Sequence, residues 1–172
     1  MWDNSKPDRR EMAVTLKQVE RSEVGAVLPL LLLAEPSERA LRWSLKNLSD
    51  TVYRVEDAGQ LVGAATMRWA SEPCEIVELA VAEDRQGQGL GRQIIEALLA
   101  EARRRGKQRI VVGTGNSSLG NLAFYQKCGF RMDHVRRDYY WYLTEPEIEN
   151  GIRLRDMLVF SYDLTADRTE GL

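Results

Sequence analysis

The chain has 172 residues, of which 44% are hydrophobic and 29% are charged, and its formal net charge is −2 at pH 7. This size and composition are typical of one globular domain with a substantial core. The balanced charge argues against a nucleic-acid binding protein, which normally carries a strong basic excess.

The first 50 residues predict a flexible arm, a strand and two helices. Residues 1–12 are polar and aperiodic, as in a loose arm, whereas 13–20 alternate apolar and polar residues, as in a half-buried strand. The apolar run 24–34 is shorter than the roughly 20 residues needed to cross a bilayer. It therefore predicts a buried helix that Ser22 can cap, with a kink or break near Pro29, and no association with membranes. Ser37 is placed to cap the second helix.

The middle of the chain predicts a hairpin, a central strand and a long helix. Two β-rich runs, 51–57 and 61–69, flank a turn, and the continuously apolar run 74–82 is typical of a central strand. From Leu90 to Ala102 the apolar residues follow the 3.6-residue period of an amphipathic helix. Between strand and helix lies the glycine-rich sequence Asp-Arg-Gln-Gly-Gln-Gly-Leu-Gly-Arg, residues 84–92.

Glycines at the start of a helix favour an anion site. The first N–H groups of a helix have no partner within it and, with the helix dipole, attract a phosphate. Glycine allows close approach and positive φ, and Arg85 and Arg92 flank the loop. The spacing fits neither the dinucleotide G-x-G-x-x-G motif nor a Walker loop. We therefore expect a different kind of diphosphate ligand.

The remaining residues predict three strands, one short helix and a polar tail at 165–172. The strands are expected at 108–115, 130–140 and 157–164, and the helix at 119–128. The connection 141–156 is unusually long. No repeat or linker interrupts residues 13–164, so we expect one mixed α/β domain there.

The segment Gln-Gly-Gln-Gly-Leu-Gly, 86–91, resembles the acetyl-CoA binding motif of the GNAT superfamily of N-acetyltransferases, Arg/Gln-x-x-Gly-x-Gly/Ala. Its surroundings are also similar, since a strand ending Leu-Ala-Val precedes it and a long helix follows. Residues 121–130 are similar to the family's second motif, a short helix ending in Tyr and then a Gly-Phe step into a strand. Two features depart from the pattern: Glu83 stands where proline is common, and 139–156 is longer than usual.

The resemblance implies an α/β (α+β) fold with a mixed central sheet of about six to seven strands flanked by about four helices. It implies acetyl-CoA as the co-substrate and no metal. The residues expected to bind the co-substrate are Leu79, Ala80, Val81, Gln86, Gly87, Gln88, Gly89, Leu90, Gly91, Arg92, Asn116, Asn121 and Tyr125. For Asn116, a turn-forming role is an equal alternative.

The activity implied is acetyl transfer to a primary amine of a small molecule or peptide, by direct attack in a ternary complex. Tyr125 stands at the family's tyrosine position and is the expected general acid, although on the helix pattern alone it would be a core aromatic residue. Glu78 and Glu75 on the central strand are the candidate bases, because burial can raise a carboxyl pKa to a useful value. A structural role for either carboxylate, or a water chain acting as the base, is the alternative.

The sequence does not identify the acceptor. The aromatic residues 139–142 stand beside Glu145, Glu147 and Glu149, a composition that suits a cationic amine but also ordinary packing. The two cysteines and one histidine lack metal-ligand spacing. Isolated thiols suit the cytoplasm, and dimers are common among family members, so a cytoplasmic homodimer is expected.

Two functions of other classes compete with the enzyme. A domain of this fold can hold acyl-CoA without turnover, as a sensor or scaffold. The basic cluster Arg103–Arg105 could instead contact nucleic acid, although the acidic balance disfavours this. Tyr125 and the glutamates of the central strand favour the enzyme.

Overall fold

The computed structural model describes residues 14–166, which form a main sheet with helices on both faces and a separate two-stranded ribbon. The strands are β1 (Thr15–Gln18), β2 (Thr51–Asp57), β3 (Gln60–Arg68), β4 (Cys74–Val81), β5 (Arg109–Gly115), β6 (Arg131–Arg136), β7 (Ile148–Glu149), β8 (Ile152–Arg153) and β9 (Met157–Asp163). The helices are α1 (Leu28–Leu31), α2 (Glu38–Asn47), α3 (Leu90–Arg104) and α4 (Leu119–Lys127), with 3-10 turns at Arg21–Ala26 and Glu83–Arg85. The predicted arm, 1–12, lies outside the described residues.

Seven strands form the main sheet, in the order β1-β2-β3-β4-β5-β9-β6. Only β4 and β5 are parallel neighbours, and every other pair is antiparallel. This confirms the predicted mixed sheet and fold class. The parallel pair is possible because α3 connects β4 to β5 as a crossover helix.

Two apolar clusters fix the helices on opposite faces of the sheet. The larger lies under α3, whose inward residues from Leu90 to Ala102 are the periodic set predicted from sequence. Tyr125 of α4 packs into the same cluster. The smaller cluster joins Leu31 of α1 and Leu41 of α2 to the other face. Within the described range, no helix has the length and apolar composition needed to cross a bilayer.

The predicted helix boundaries are met at α2 but not at α1. Ser37 caps α2 as expected, with its Oγ accepting from the Ala40 N–H at 3.2 Å. The helix predicted with a kink or break near Pro29 is broken, but at Val27, between a 3-10 turn that starts before Ser22 and α1. Proline is tolerated in the first turn of α1 because an N–H there would have no helical partner.

The segment after β6 differs from its prediction in two ways. The strand expected over 130–140 ends at Arg136, because Asp138, with φ of 51°, turns the chain away. The connection 141–156 contains a small antiparallel ribbon, β7–β8, closed by Asn150 and Gly151 at φ of 53° and 73°. Asn-Gly is the typical sequence of such a turn, so this ribbon was predictable.

Candidate active site

A gap between β4 and β5 forms the centre of the site. The two strands pair over three residues, Cys74 to Ile76 of β4 with Ile110 to Val112 of β5. Beyond this point β4 stays paired with β3 up to Val81, while β5 stays paired with β9 up to Gly115. The strands therefore separate, and a cleft of about 1890 Å³ passes between them.

The separated edge of β4 presents its main chain to the cleft. The Val81 carbonyl accepts a hydrogen bond from the Gln86 Nε2 at 3.1 Å, so it points away from β3. Peptide groups along a strand alternate in direction, so those of Leu79 point to the same side as those of Val81. This edge can pair with the amides of an extended ligand as an added strand would. Gln86, predicted to bind the co-substrate, ties the glycine loop to this edge.

The glycine loop leaves open space before α3. Gly87 and Gly89 adopt φ of 74° and 80°, and a Cβ added at either would meet nothing within 4 Å. Gly89 is the N-cap of α3 and provides no side-chain cap, so the first N–H groups of the helix are left for a ligand. The cleft reaches Gly87, Gly89, Leu90 and Gly91. An anion such as a diphosphate fits this position.

Gly91 also has a packing role. A Cβ at this position would lie 3.2 Å from the Phe124 Cζ, so the glycine allows α3 to pack closely against α4. The Leu90 side chain is likewise buried in the core. Both residues can offer only their main chain to a ligand.

The polar side chains of the glycine loop bind one another and residues next to the loop. The Arg85 guanidinium pairs with Asp57 at 2.7 Å and donates to the Gln88 Oε1 at 3.4 Å. Gln88 also donates to the Asp84 carbonyl at 3.4 Å and is not among the residues that line the cleft. Arg85 and Arg92 do line it, and the exposed Arg92 side chain pairs with Glu96 at 3.4 Å.

Glu78 is a buried carboxyl group at the gap. It is 7% exposed, lines the cleft, and accepts hydrogen bonds from the hydroxyls of Ser44 on α2 and Thr66 on β3. Loss of water on burial raises its pKa to about 7, and the charges of Glu35 and Glu75 act in the same direction, while the Ser44 hydrogen bond opposes them. A carboxyl group with this pKa can exchange protons near neutral pH.

An irregularity in β4 orients Glu78. Thr66 pairs with Glu78 and Met67 with Ile76, which leaves Val77 as the extra residue of a β-bulge. Side chains three residues apart on a regular strand face opposite ways. The bulge therefore places Glu78 on the sheet face of Glu75, where α2 lies, and β-bulges often redirect side chains at active sites in this way.

The second candidate base, Glu75, lies elsewhere. Its carboxylate pairs with the Arg136 guanidinium at 3.5 Å, and it is not among the residues that line the cleft. This is the salt-bridged arrangement that the sequence left open as an alternative.

Tyr125 reaches the cleft from the opposite face of the sheet. Its ring packs against Phe124, Phe130 and Phe160 with centroid distances of 5.1, 5.9 and 6.1 Å. It is 7% exposed and lines the cleft. Burial raises the pKa of its phenol above the ordinary value. The phenol therefore stays protonated at neutral pH and can donate to a group in the gap.

The two asparagines differ in position. Asn121 lines the cleft and donates to the Thr114 Oγ1 at 3.3 Å. The Asn116 side chain instead binds the 153–156 backbone, donating to the Arg153 carbonyl at 3.0 Å and accepting from two N–H groups at 2.9 and 3.0 Å. The structure does not bring Asn116 to the cleft. Its side chain joins the end of β5 to the segment before β9, which differs from the local turn contact given as the alternative.

The other end of the cleft combines aromatic rings and carboxylates. Its lining includes Glu35, Trp43, Tyr139, Tyr140, Trp141, Tyr142, Glu147 and Glu149, and two arginines, Arg39 and Arg137. The Tyr142 hydroxyl donates to the Glu35 Oε2 at 3.2 Å, joining two loops that are 107 residues apart. Glu145 is outside this lining and borders a smaller cavity. Sequence reasoning missed Glu35 because no local pattern marks it.

Two arginines of the basic cluster that could contact nucleic acid are engaged in internal contacts. Arg104 and Arg105 pair with Glu101, and the Arg105 guanidinium lies 4.7 Å from the centre of the Trp69 ring. Throughout residues 14–166, no three His, Cys, Asp or Glu side chains are grouped so that they could hold a metal ion.

Comparison with known proteins agrees with this site. The model of the acetyltransferase (GNAT) family matches residues 26–130. The uncharacterized N-acetyltransferase YvbK of Bacillus subtilis is 36% identical over 137 residues, covering 78% of this chain and 87% of the relative. Two solved structures are similar to this chain over most of its length. The IAA acetyltransferase from Bacillus cereus has 35% identity and a TM-score of 0.76, over 87% of this chain and 99% of that one.

The second is a GNAT family acetyltransferase from Elizabethkingia anophelis with acetyl-CoA bound. It has 32% identity and a TM-score of 0.78, over 88% of this chain and 98% of that one. Acetyl-CoA, the ligand bound in that structure, contains a diphosphate, which is the kind of group that fits the glycine loop at Gly87 and Gly89. The chain belongs to the acetyltransferase (GNAT) family and uses acetyl-CoA as its acetyl donor.

Proposed function

We propose that this acetyltransferase acetylates a primary amine of a small molecule or peptide by direct attack within a ternary complex, with Glu78 as the general base. Glu78 carries the proposal because it is a buried carboxyl group that lines the cleft and has a pKa of about 7. It lies where β4 and β5 separate, close to the main chain of Leu79.

The acetyl donor, acetyl-CoA, is held by main-chain groups at two places. The main-chain groups of Leu79 and Val81 bind the amide-bearing arm, while those of Ala80 point towards β3, and the first N–H groups of α3 bind the diphosphate. Acetyl-CoA supplies a thioester carbonyl, which hydrogen bonds from the β4 edge polarise. Neither Cys74 nor Cys128 acts as a nucleophile, because burial raises the pKa of both thiols and direct attack needs no acyl-enzyme.

Proton transfer involves both faces of the sheet. An alkylamine has a pKa of about 10.4 and is mostly protonated at neutral pH, so Glu78 accepts its proton. The new C–N bond forms as the C–S bond breaks, and Tyr125 donates its phenolic proton to the departing sulfur. The second proton that the nitrogen loses on becoming an amide returns to the Tyr125 phenolate, which restores the phenol. The two groups meet at the gap because β4 presents one and α4 the other.

Tyr125→Phe is expected to lower kcat by about 100-fold or more, the usual scale for losing a general acid. The Kd of acetyl-CoA should change little, since phenylalanine preserves the ring packing. Tyr162→Phe is the matched control, because Tyr162 packs against Phe130 at 5.5 Å but is not part of the cleft lining. Steady-state kinetics with calorimetric measurement of Kd makes the comparison, and full activity of Tyr125→Phe would remove Tyr125 from the mechanism.

We propose that the acceptor carries a second positive charge, held at the acidic and aromatic end of the cleft. Glu35 accepts from neutral groups, the Tyr142 hydroxyl and the Ser37 N–H, and Glu149 accepts from the Ser118 hydroxyl at 2.7 Å. Their charges can therefore bind a cation, and the rings of Tyr139 and Tyr140 can cover its alkyl part.

Glu35→Gln is expected to raise the KM of a diamine about tenfold, the scale of one hydrogen bond to a charged group. The KM of acetyl-CoA should stay the same, because Glu35 lies at the other end of the cleft. Glu145→Gln is the control, since this carboxylate borders the smaller cavity instead. If the KM of the diamine rose equally in both variants, or in neither variant, the assignment of Glu35 to the acceptor site would be contradicted.

The acceptor class is tested by release of free CoA thiol from acetyl-CoA in the presence of polyamines, aminoglycosides, amino acids and peptides. We expect turnover with amines that carry a second cation. Turnover confined to uncharged monoamines would overturn the acceptor assignment. Binding of acetyl-CoA without turnover across the panel would favour the sensor function instead.

A further inference from the structure

We infer that Thr66 and Ser44 are positioning residues that hold the Glu78 carboxylate ionised and directed at the acceptor amine. The inference rests on the proposed role of Glu78 as the base. Neither hydroxyl belongs to a sequence motif, and the two residues approach Glu78 from different elements, β3 and α2.

The contacts place one donor on each carboxylate oxygen. The Ser44 hydroxyl donates to Oε1 and the Thr66 hydroxyl donates to Oε2. The Thr66 oxygen in turn accepts from the Glu78 N–H at 3.0 Å. This reciprocal pair orients the Thr66 hydroxyl towards the carboxylate, because its oxygen is already engaged by the backbone. Thr66 stands directly opposite Glu78 in the β3–β4 register, next to the bulge at Val77.

The two donors favour the form of Glu78 that can accept a proton. An ionised carboxylate accepts at about four lone-pair sites, so lone pairs remain for the amine after Ser44 and Thr66 have bound. A protonated carboxyl group has fewer acceptor sites, so the same two hydroxyls suit it less well. Because both side chains are buried, each donor acts in a medium of low dielectric constant, where it is stronger than in water.

The other groups around Glu78 act in the opposite sense. Glu35 from the loop before α2 and Glu75 from β4 are both negative and disfavour its ionisation. Burial raises the pKa of the Tyr139 phenol, in the segment after β6, and the charges of Glu75 and Glu78 act in the same direction, so this residue also lies near Glu78. No cation is bound to Glu78 among the described residues. The Ser44 hydrogen bond opposes burial and these negative neighbours, and the Thr66 hydroxyl donates to the other carboxylate oxygen.

The test is the pH profile of kcat in Thr66→Val and Thr66→Ser. Thr66 is fully buried and is not part of the cleft lining. The nearly isosteric valine therefore removes the donor to the carboxylate, together with the acceptor of the Glu78 N–H, without touching the substrate. The base must be ionised to act, so loss of a donor should move the acid limb of kcat to higher pH by about one unit. The serine variant keeps the hydroxyl and should restore the limb. An unmoved limb in a folded Thr66→Val protein would overturn the inference.

Three further measurements keep the result interpretable. Ser44→Ala removes the other donor and provides a second variant if Thr66→Val does not fold, with the same upward displacement expected. A ¹³C titration of the Glu78 carboxyl in protein without substrates should show the displacement directly. If Glu78→Gln keeps the acid limb, the proposed base is wrong. If Glu78→Gln removes the limb but neither hydroxyl variant moves it, only the positioning role fails.

Discussion

Gly89→Asp should weaken the binding of acetyl-CoA at least 100-fold, a loss of about 2.7 kcal/mol. Gly89 is the N-cap of α3, and its φ of 80° leaves space where a Cβ would stand. An aspartate side chain would enter that space and place a negative charge beside the N–H groups expected to bind the diphosphate. Two negative groups would then compete for the same donors.

Gly59→Asp is a closely matched control for this effect. Gly59 has a φ of 79°, and a Cβ added there would also meet nothing within 4 Å. It lies in the turn between β2 and β3 and is not part of the cleft lining. Both substitutions should cost about 1–2 kcal/mol of stability through backbone strain, but only Gly89→Asp should lose the ligand.

Calorimetric titration with acetyl-CoA, together with thermal unfolding, separates the two effects. Equal affinities of the two variants would show that the loop before α3 does not hold the diphosphate. If Gly89→Ala also binds poorly, bulk alone explains part of the loss. If Gly89→Ala binds well, the charge of the aspartate is the dominant cause.

The parts of the fold that sequence reasoning predicted are those set by local patterns. Helix α3 is predictable because its apolar residues repeat with the helical period. The loop at Gly87 and Gly89 is predictable because a strand, glycines and a helix follow one another in sequence. The Ser37 cap is likewise decided within four residues. The end of β6 was placed too late because the aromatic residues 139–142 have high β-propensity, whereas Asp138 turns the chain.

The parts of the site that were not predicted depend on contacts distant in sequence. Glu78 was a candidate, but its partners Ser44 and Thr66 lie 34 and 12 residues away, and no spacing rule connects them. Glu35 reaches the cleft only because α1 ends in a loop that approaches Tyr142. The choice between Glu78 and Glu75 also depends on a contact of this kind, since the Arg136 that binds Glu75 is 61 residues away.

Glu78→Gln is expected to reduce kcat by about 100-fold or more, the usual contribution of a general base. Glutamine has nearly the same shape, and its amide can still meet the hydroxyls of Ser44 and Thr66, so the fold and the Kd of acetyl-CoA should be preserved. The acid limb of the pH profile near 7 should disappear, because the group that titrates there is gone. Activity of the wild type should therefore rise with pH through this range, while that of the variant should lack this transition.

Glu75→Gln provides the comparison that decides between the two carboxylates. Both glutamates lie on β4 and share a sheet face, so the substitutions are alike in chemistry and location. Glu75 is held by Arg136, and its loss should remove an ion pair with little effect on kcat. A large loss in Glu75→Gln with normal activity in Glu78→Gln would reverse the assignment. If both variants kept full activity and an unchanged acid limb, the amine would be deprotonated by a water chain, and the buried carboxyl at the gap would have a structural role.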